Sequence, residues 1–503
     1  MKIDADSSKK MSLVSAVLIG ATSMVGSGWL FSAQLTVKNA GNWAFLAWVL
    51  AAGIVLLIAL CLSKVVSMYP VRGATTRSSA ISHNSIFAMP FAFANWFGIV
   101  VVISTEALAT TQYLAGVKSM TWLMTDNALT FPGELFALFI LALYLLVNFY
   151  GVKLLSKVNN AITVFKMFVP VLIVIIFIIY AVTHSNEHLS MFSSEIPNNS
   201  NYGFSNALTA IVAGGLIYSF NGFQTVVAYA SEVKNPSRNV PLAIIIALIL
   251  VLALYTALQY AFMQAVPHAY LVEKGGWSGL DFESPLLQLA TMLGLGYIAF
   301  LLIADSILSP SATGYSYLGA SSRMLYAMSS EGQMPRYFAK ITPKVNVSRR
   351  SLLANFCLSA IFLLFSENWA GLMIIVTGLH IIGYMAAPIS MGALAPRTRL
   401  FGLVVFVLLT LLLNTIEVQT NINMSIVLVI LMALYGSIEY KRVGFKKLAY
   451  LILPFIIFLA IVAPLDNYLL EGFIGAIFYW IVTDKRYVTF CKTTANEKNI
   501  IVD

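Results

Sequence analysis

Apolar stretches of about twenty residues follow one another along almost the whole chain, and each is long enough to cross a membrane as a helix. The residues are 59% hydrophobic and only 10% charged, where a soluble protein carries roughly a quarter charged. The expected fold class is therefore an all-α polytopic membrane protein. Spans are read at 12–36, 43–68, 87–114, 134–155, 158–182, 205–231, 240–265 and 295–327. Further ones follow at 351–366, 370–394, 401–418, 424–440, 448–465 and 469–483, the last two short, so the total is twelve to fourteen. The apolar but short stretch 284–294 reads as a re-entrant or external helix lying over the bundle. Met1 to Lys10 is polar and runs straight into a full span, so no cleavable signal peptide is expected.

The net charge of +9 follows the topology. With the N-terminus in the cytoplasm, Lys38, Lys118 and Lys274 fall outside and Lys166 falls within a span. The rest of the thirty Lys and Arg lie on the cytoplasmic side or at helix ends facing it. That asymmetry is the positive-inside pattern, and it removes the reason to expect a nucleic-acid partner. The expected location is the cytoplasmic membrane, and the expected partners are the lipid bilayer and a small molecule. Cys61, Cys357 and Cys491 are far apart and show no metal spacing. No metal, cofactor or catalytic residue is expected.

The first span contains its own interruption. Gly26, Ser27 and Gly28 sit near its centre, and each Gly costs ~1 kcal/mol relative to Ala in a helix interior. In lipid, unpaired backbone groups are tolerated only where they line a cavity or bind something. The sixth span carries a second disturbance, from Gly214 and Gly215 through Tyr218-Ser-Phe-Asn-Gly-Phe-Gln224. The two spans are five apart, so equivalent elements in two halves would run in opposite directions. Paired interrupted helices of this kind point to an inverted-repeat transporter with its site at the midplane. Close packing of small residues is the competing explanation for each break taken alone.

Three stretches together resemble the amino acid–polyamine–organocation transporter superfamily. They are Gly26-Ser-Gly28, span 6 running into Ser231-Glu-Val-Lys-Asn-Pro-Ser-Arg-Asn-Val-Pro241, and Ser321-Ser-Arg-Met-Leu-Tyr through Lys340. The resemblance covers about residues 10 to 400, and the form Gly-Ser-Gly-Trp-Leu-Phe is most similar to bacterial aspartate:proton symporters. It implies ten core helices as two inverted five-helix repeats, with discontinuous helices 1 and 6. The corresponding layout is a cytoplasmic N-terminus over 1–11, a first repeat over 12–182, an extracellular loop over 183–204 and a second repeat over 205–394. Additional helices and a cytoplasmic tail occupy 395–503. It also implies a proton gradient as the energy source and an L-amino acid as substrate, an acidic one by resemblance only.

An amino acid presents a carboxylate and an ammonium. Backbone N–H groups of Gly26, Ser27 and Gly28 at a half-helix N-terminus suit the first. Carbonyls of Ser23 and Met24, and of Tyr218, Ser219 and Phe220, suit the second, with Asn221 beside them. Tyr218 occupies a position where the family often has an aromatic covering the substrate. The chain departs from many relatives in having Gln224 where they have Glu, and in Pro70-Val-Arg-Gly-Ala-Thr-Thr after span 2.

Ionisable groups within spans are functional candidates by default. Lys166 lies about 12 Å into span 5, where proton-coupled relatives often carry a Lys; a snorkelling Lys is the bland alternative. Glu106 in span 3 and Asp305 in span 8 are candidates for carrying a proton, for binding a cation or for capping the backbone near Pro310. His380 in span 10 ranks lower, as a packing residue. Glu232 and Arg323 are candidates for an inner gate, with Tyr218 as an aromatic gate; a solvated pair worth little is the alternative. The leading expectation is a proton-coupled amino acid symporter working by alternating access. An amino acid/polyamine antiporter, a cationic or neutral amino acid permease, and a transporter-like amino acid sensor stay open. An enzyme has no support, because the Gly-rich stretch lacks a βαβ context, and no repeated filter points to a channel. The break reads the part every amino acid shares, and leaves the side chain open.

Overall fold

A computed structural model describes residues 10–69, 74–150, 153–184, 193, 195–330, 333–342 and 348–496. Residues 1–9, 70–73, 185–192 (with Asn186, Glu187 and His188) and parts of the basic segment Ser329 to Arg350 lie outside the described residues. The first span is two helices, α1 (Leu13–Met24) and α2 (Gly28–Ala40), followed by α3 (Ala44–Met68), α4 (Ala74–Ser82) and α5 (Ser85–Ala115). Next come α6 (Phe131–Tyr150) and α7 (Lys153–Thr183). The sixth span is α8 (Phe204–Ala213), α9 (Leu216–Ser219) and α10 (Gln224–Ala228), and α11 (Pro236–Ala265) follows. Two short helices, α12 (His268–Glu273) and α13 (Pro285–Met292), precede α14 (Gly296–Ser330). The chain ends with α15 (Arg349–Leu364), α16 (Trp369–Tyr384), α17 (Ala386–Leu394), α18 (Arg399–Leu413), α19 (Val418–Val443), α20 (Phe445–Val462), α21 (Tyr468–Val482) and α22 (Lys485–Asn496).

Among the described residues, ten helical segments are long and apolar enough to cross a membrane. The shorter apolar helices are α1, α8 and α21. The first two are short because each is half of an interrupted span. The fold is thus all-α and polytopic, with a helix on every apolar stretch read from the sequence. Polar residues set several starts: Ser12 accepts from Ser15 N at 3.1 Å, Asn84 from Phe87 N at 2.8 Å, and Asn368 from Gly371 N at 3.1 Å. Each satisfies one N–H that a helix leaves unpaired at its start.

Helix α5 is the axis of the bundle. Every residue from Ile86 to Ala115 is buried, and it packs against α14, α16 and α4. A span of that kind meets protein on all sides, so polar side chains along it face other helices instead of lipid. On the other flank, α11 packs against α1, α3 and α7. The stretch 284–294 forms α13, which lies against α2 and α14.

The sequence reads one disturbance in span 6; the structure has two. Gly215 takes φ +73°, which starts the single turn α9, and Gly222 takes φ +120° within the second gap. Both values lie where L side chains are disfavoured. A further feature has no counterpart in the sequence reading: α22 docks at the junction of α4 and α5. Asn84 Nδ2 donates to Cys491 O at 2.8 Å, and His83 Nε2 meets Val482 O at 2.8 Å. The tail segment is therefore fastened to the bundle through buried polar side chains.

Candidate substrate site

The two interruptions face each other. Helix α1 ends at Met24, Val25 is extended, and α2 begins at Gly28. The close approach depends on glycine: a Cβ at Gly28 would lie 2.6 Å from Ser219 Oγ and 3.1 Å from Ser219 Cα. Between the breaks lies a narrow cavity of about 10 Å³, room for roughly one water molecule as the helices stand. It is lined by Ser23, Met24, Gly26, Gly28, Tyr218 and Asn221 from the breaks, and by Val102, Glu106, Thr313 and Tyr317 from α5 and α14.

Of the residues expected there, Ser27, Ser219 and Phe220 do not line the cavity. Phe220 is fully buried, with its ring against Trp48 and Tyr255. Ser219 Oγ bonds Ser32 Oγ at 2.8 Å and Gly215 O at 2.8 Å, tying span 6 to α2. Ser27 turns into a chain of hydrogen bonds. Trp369 Nε1 donates to Ser27 Oγ at 3.0 Å, Ser27 Oγ lies 3.1 Å from Tyr218 OH, and Tyr218 OH donates to Glu106 Oε1 at 2.9 Å. A hydroxyl has one proton, so Ser27 must be the donor to Tyr218. The relay runs in one direction and ends on a carboxylate.

Glu106 also meets the break directly. Ser27 N donates to Glu106 Oε1 at 3.4 Å, and that oxygen lies 3.0 Å from where a Cβ on Gly26 would stand. The backbone donor expected to receive a substrate carboxylate is thus held by a carboxylate of the protein's own. Oε2 of Glu106 is buried and reaches no hydrogen-bond partner among the described residues. Behind it, Lys166 is buried on α7 and within electrostatic reach of both Glu106 and Asp305. Asp305 is fully buried on α14 with the Trp29 indole beside it, and neither of its carboxylate oxygens closes a hydrogen bond among the described residues. The three ionisable groups share one buried region without direct ion pairing among them.

The expected carbonyl receptors are partly occupied. Tyr255 OH on α11 lies within hydrogen-bond reach of Met24 O at 2.9 Å and Ser219 O at 3.1 Å, its single proton shared between the two carbonyls. One hydroxyl therefore spans the two breaks. Each carbonyl keeps a second lone pair, so neither is closed to an ammonium. The second break is satisfied from within by amides. Gln224 Oε1 accepts from Gly222 N at 2.9 Å, and Gln224 Nε2 and Tyr384 OH both donate to Asn221 Oδ1, at 2.6 and 2.8 Å. His380 stands beside this network, its Nδ1 3.4 Å from Asn221 Nδ2. Its ring packs on Gly98 of α5, where an added Cβ would lie 3.0 Å away.

Glu232 and Arg323 are both exposed. At Glu232 the main chain makes the closure: Met11 N donates to Glu232 O at 2.8 Å and Lys234 N to Met11 O at 3.0 Å. At the other end of the bundle, Gln34 Nε2 donates to Phe282 O and Gln112 Nε2 to Glu283 O, fastening the segment before α13 to α2 and α5. Lys274 and Tyr270 bond Asp281 at 2.7 and 2.8 Å. Burial works to raise the Asp281 carboxyl, and those hydrogen bonds outweigh it, holding it below the usual carboxylate range.

Thr313 and Tyr317, which sequence reading missed, carry a visible signal. With Asp305 and Ser309 they recur every four residues on α14, which places them along one face of a helix. A polar stripe in an apolar span marks a face turned toward protein or a cavity.

A paired break around a buried carboxylate is the arrangement expected of a carrier, and the family comparison agrees. The amino acid permease family matches residues 11–482. The chain belongs to that family. The permease is 35% identical over 391 residues to the glutamate/serine transporter AimA of Bacillus subtilis, covering 77% of the permease and 71% of that relative. It is 33% identical over 393 residues to the aspartate-proton symporter of Bacillus subtilis, covering 78% and 74%. At greater distance it is 25% identical over 355 residues to human cationic amino acid transporter 4, covering 68% and 53%. The permease is accordingly a membrane transporter of the amino acid class, and not an enzyme.

Proposed function

We propose that the chain is a proton-coupled symporter that carries an amino acid into the cytoplasm across the cytoplasmic membrane, with its N-terminus inside. The positive-inside distribution of Lys and Arg supports that orientation. The observation that carries the coupling is the contact of Glu106 Oε1 with Ser27 N, reinforced by Tyr218 OH. A substrate carboxylate and the Glu106 carboxylate compete for the same donors at the start of α2. Two like charges at one site repel strongly when both are dry. Protonation of Glu106 relieves that repulsion, so substrate and proton bind together. The substrate ammonium then meets the remaining lone pairs of the carbonyls at the ends of α1 and α9. Lys166 faces Glu106 and Asp305 and balances their charge as the proton comes and goes.

The name of one relative, an aspartate-proton symporter, supports proton coupling, and the names of both relatives include an acidic substrate. The test is accumulation of labelled amino acids by the purified chain in proteoliposomes. An inward proton gradient is expected to drive uptake above the equilibrium ratio, and a protonophore to abolish it. Binding without accumulation would instead fit an amino acid sensor.

A further inference from the structure

We propose that the surface where α20 and α22 meet is a docking site for the headgroup of an anionic phospholipid. This goes beyond the transport reading and does not depend on it. Helix α22 turns one side inward: Tyr487, Val488 and Cys491 are buried, at the spacing of one helix face. Its other side is basic, with Lys485, Arg486 and Lys492 exposed. Tyr450 of α20 packs against it, its ring centroid 4.6 Å from that of Phe490 and 5.4 Å from that of Tyr487. Tyr487 OH donates to Tyr450 O at 3.3 Å. Arg486 and Phe490 are four apart on α22, as are Lys446 and Tyr450 on α20. Each basic residue therefore stands one turn from the ring contact and on the same helix face as its ring.

These charges have no counter-charge among the described residues. Lys441, Lys446, Lys485, Arg486 and Lys492 are exposed and make no ion pair there. Asp484 spends Oδ1 on Arg486 N at 2.8 Å, at the start of α22, and Glu439 is buried. Like charges gathered in this way repel, and an anion relieves the repulsion. The aromatic side chains decide which anion. Phe445, Tyr450 and Trp480 are exposed on the turns of α20 and α21 nearest α22, and such rings at the end of a span mark the membrane–water interface. Lys and Arg beside them keep their stems in the apolar layer and their charges at headgroup level. A group of basic residues directly at the end of membrane helices is the pattern of anionic lipid recognition. A phospholipid offers a phosphate to the basic groups and acyl chains to the rings, whereas a soluble phosphate leaves the rings unused. In the orientation proposed above, this is the cytoplasmic leaflet. Asn84 Nδ2 holds α22 from the inner side through Cys491 O, so a headgroup on the outer side steadies the same helix.

The test offers phosphatidylglycerol, phosphatidylcholine or inorganic phosphate to the delipidated full chain in detergent. Retained lipid is read by native mass spectrometry, and the seating of α22 by hydrogen exchange in residues 485–494. Phosphatidylglycerol is expected to bind roughly tenfold tighter than phosphatidylcholine or better, and to slow that exchange. Lys446→Gln and Arg486→Gln are each expected to weaken its binding roughly fivefold, the effect of one basic residue at an anionic surface. Lys118→Gln, an exposed position beyond the far end of α5, is expected to leave it unchanged. Equal retention of the two lipids overturns the proposal, as does a loss in Lys118→Gln that matches the other two variants. Inorganic phosphate slowing the exchange of α22 as well as the lipid does would mean a site for a free anion, and overturns lipid docking.

Discussion

The two breaks are alike in backbone and unlike in chemistry. The break in span 1 is held by an acid, Glu106, through Ser27 N and Tyr218. The break in span 6 is held by neutral amides and hydroxyls, with Gln224 bonded to Gly222 N and Asn221. An amide both accepts and donates at any pH, whereas a carboxylate donates only when protonated. The second break therefore keeps its closure while the first can respond to a proton. On the proposed coupling the first break is the one a proton on Glu106 would change, and Tyr255, within reach of a carbonyl at each break, links the two.

Substitutions can break this contrast in order of size. Gly222→Ala is expected to be the largest: at φ +120° a Cβ is strained and meets the Ser23 backbone. Transport should fall roughly a hundredfold with the protein still inserted, since misplacement of a site by an ångström costs that much; uptake normalised to membrane protein level measures it. Tyr255→Phe removes the hydroxyl shared by Met24 O and Ser219 O. Leaving buried carbonyls short of a partner costs about 1–3 kcal/mol, so apparent affinity should weaken roughly tenfold in a substrate titration. Gln224→Glu would make the second break proton-sensitive too. An ionised carboxylate in place of that amide cannot donate to Asn221 Oδ1, so uptake at pH 8 should fall several-fold more than at pH 6 relative to the native chain. Equal losses at both values would show that the neutrality of the second break is immaterial.

The smallest effect concerns the Asp281 bracket. Its carboxyl is held below the usual range, so the bond to Lys274 is present above that range and lost as pH falls through the lowered value. Hydrogen exchange in residues 267–286 should be flat from pH 5 to 8, apart from the intrinsic rate, and should rise only in stronger acid. Protection lost near neutrality would contradict this.

Much of the architecture was legible because apolar length in a membrane chain leaves few alternatives. The breaks were legible because Gly26, Gly28, Gly215 and Gly222 are expensive in a helix unless something requires them. Glu106, Lys166 and Asp305 stood out as charges in apolar spans, and the structure brings them into one region. What local pattern did not carry was partnership across the fold. Nothing near Ser27 signals that Trp369, 342 residues away, bonds it, or that a tyrosine of α11 joins both breaks. Phe220 reads like a cavity residue by its place beside Tyr218, yet its ring turns to Trp48. The four-residue stripe from Asp305 to Tyr317 is readable in the sequence, but only its charge stands out in an apolar span. The hydroxyls that follow it gain their meaning from the cavity they face.

The contact of Glu106 with the start of α2 is the centre of the account, and Glu106→Gln tests it most directly. Glutamine keeps an oxygen for Ser27 N and Tyr218 OH but carries no titratable proton. In proteoliposomes the variant is expected to exchange internal for external substrate within several-fold of the native rate. Its gradient-driven accumulation should fall to the equilibrium ratio, with exchange flat from pH 5 to 8. Accumulation as steep as that of the native chain would contradict the account.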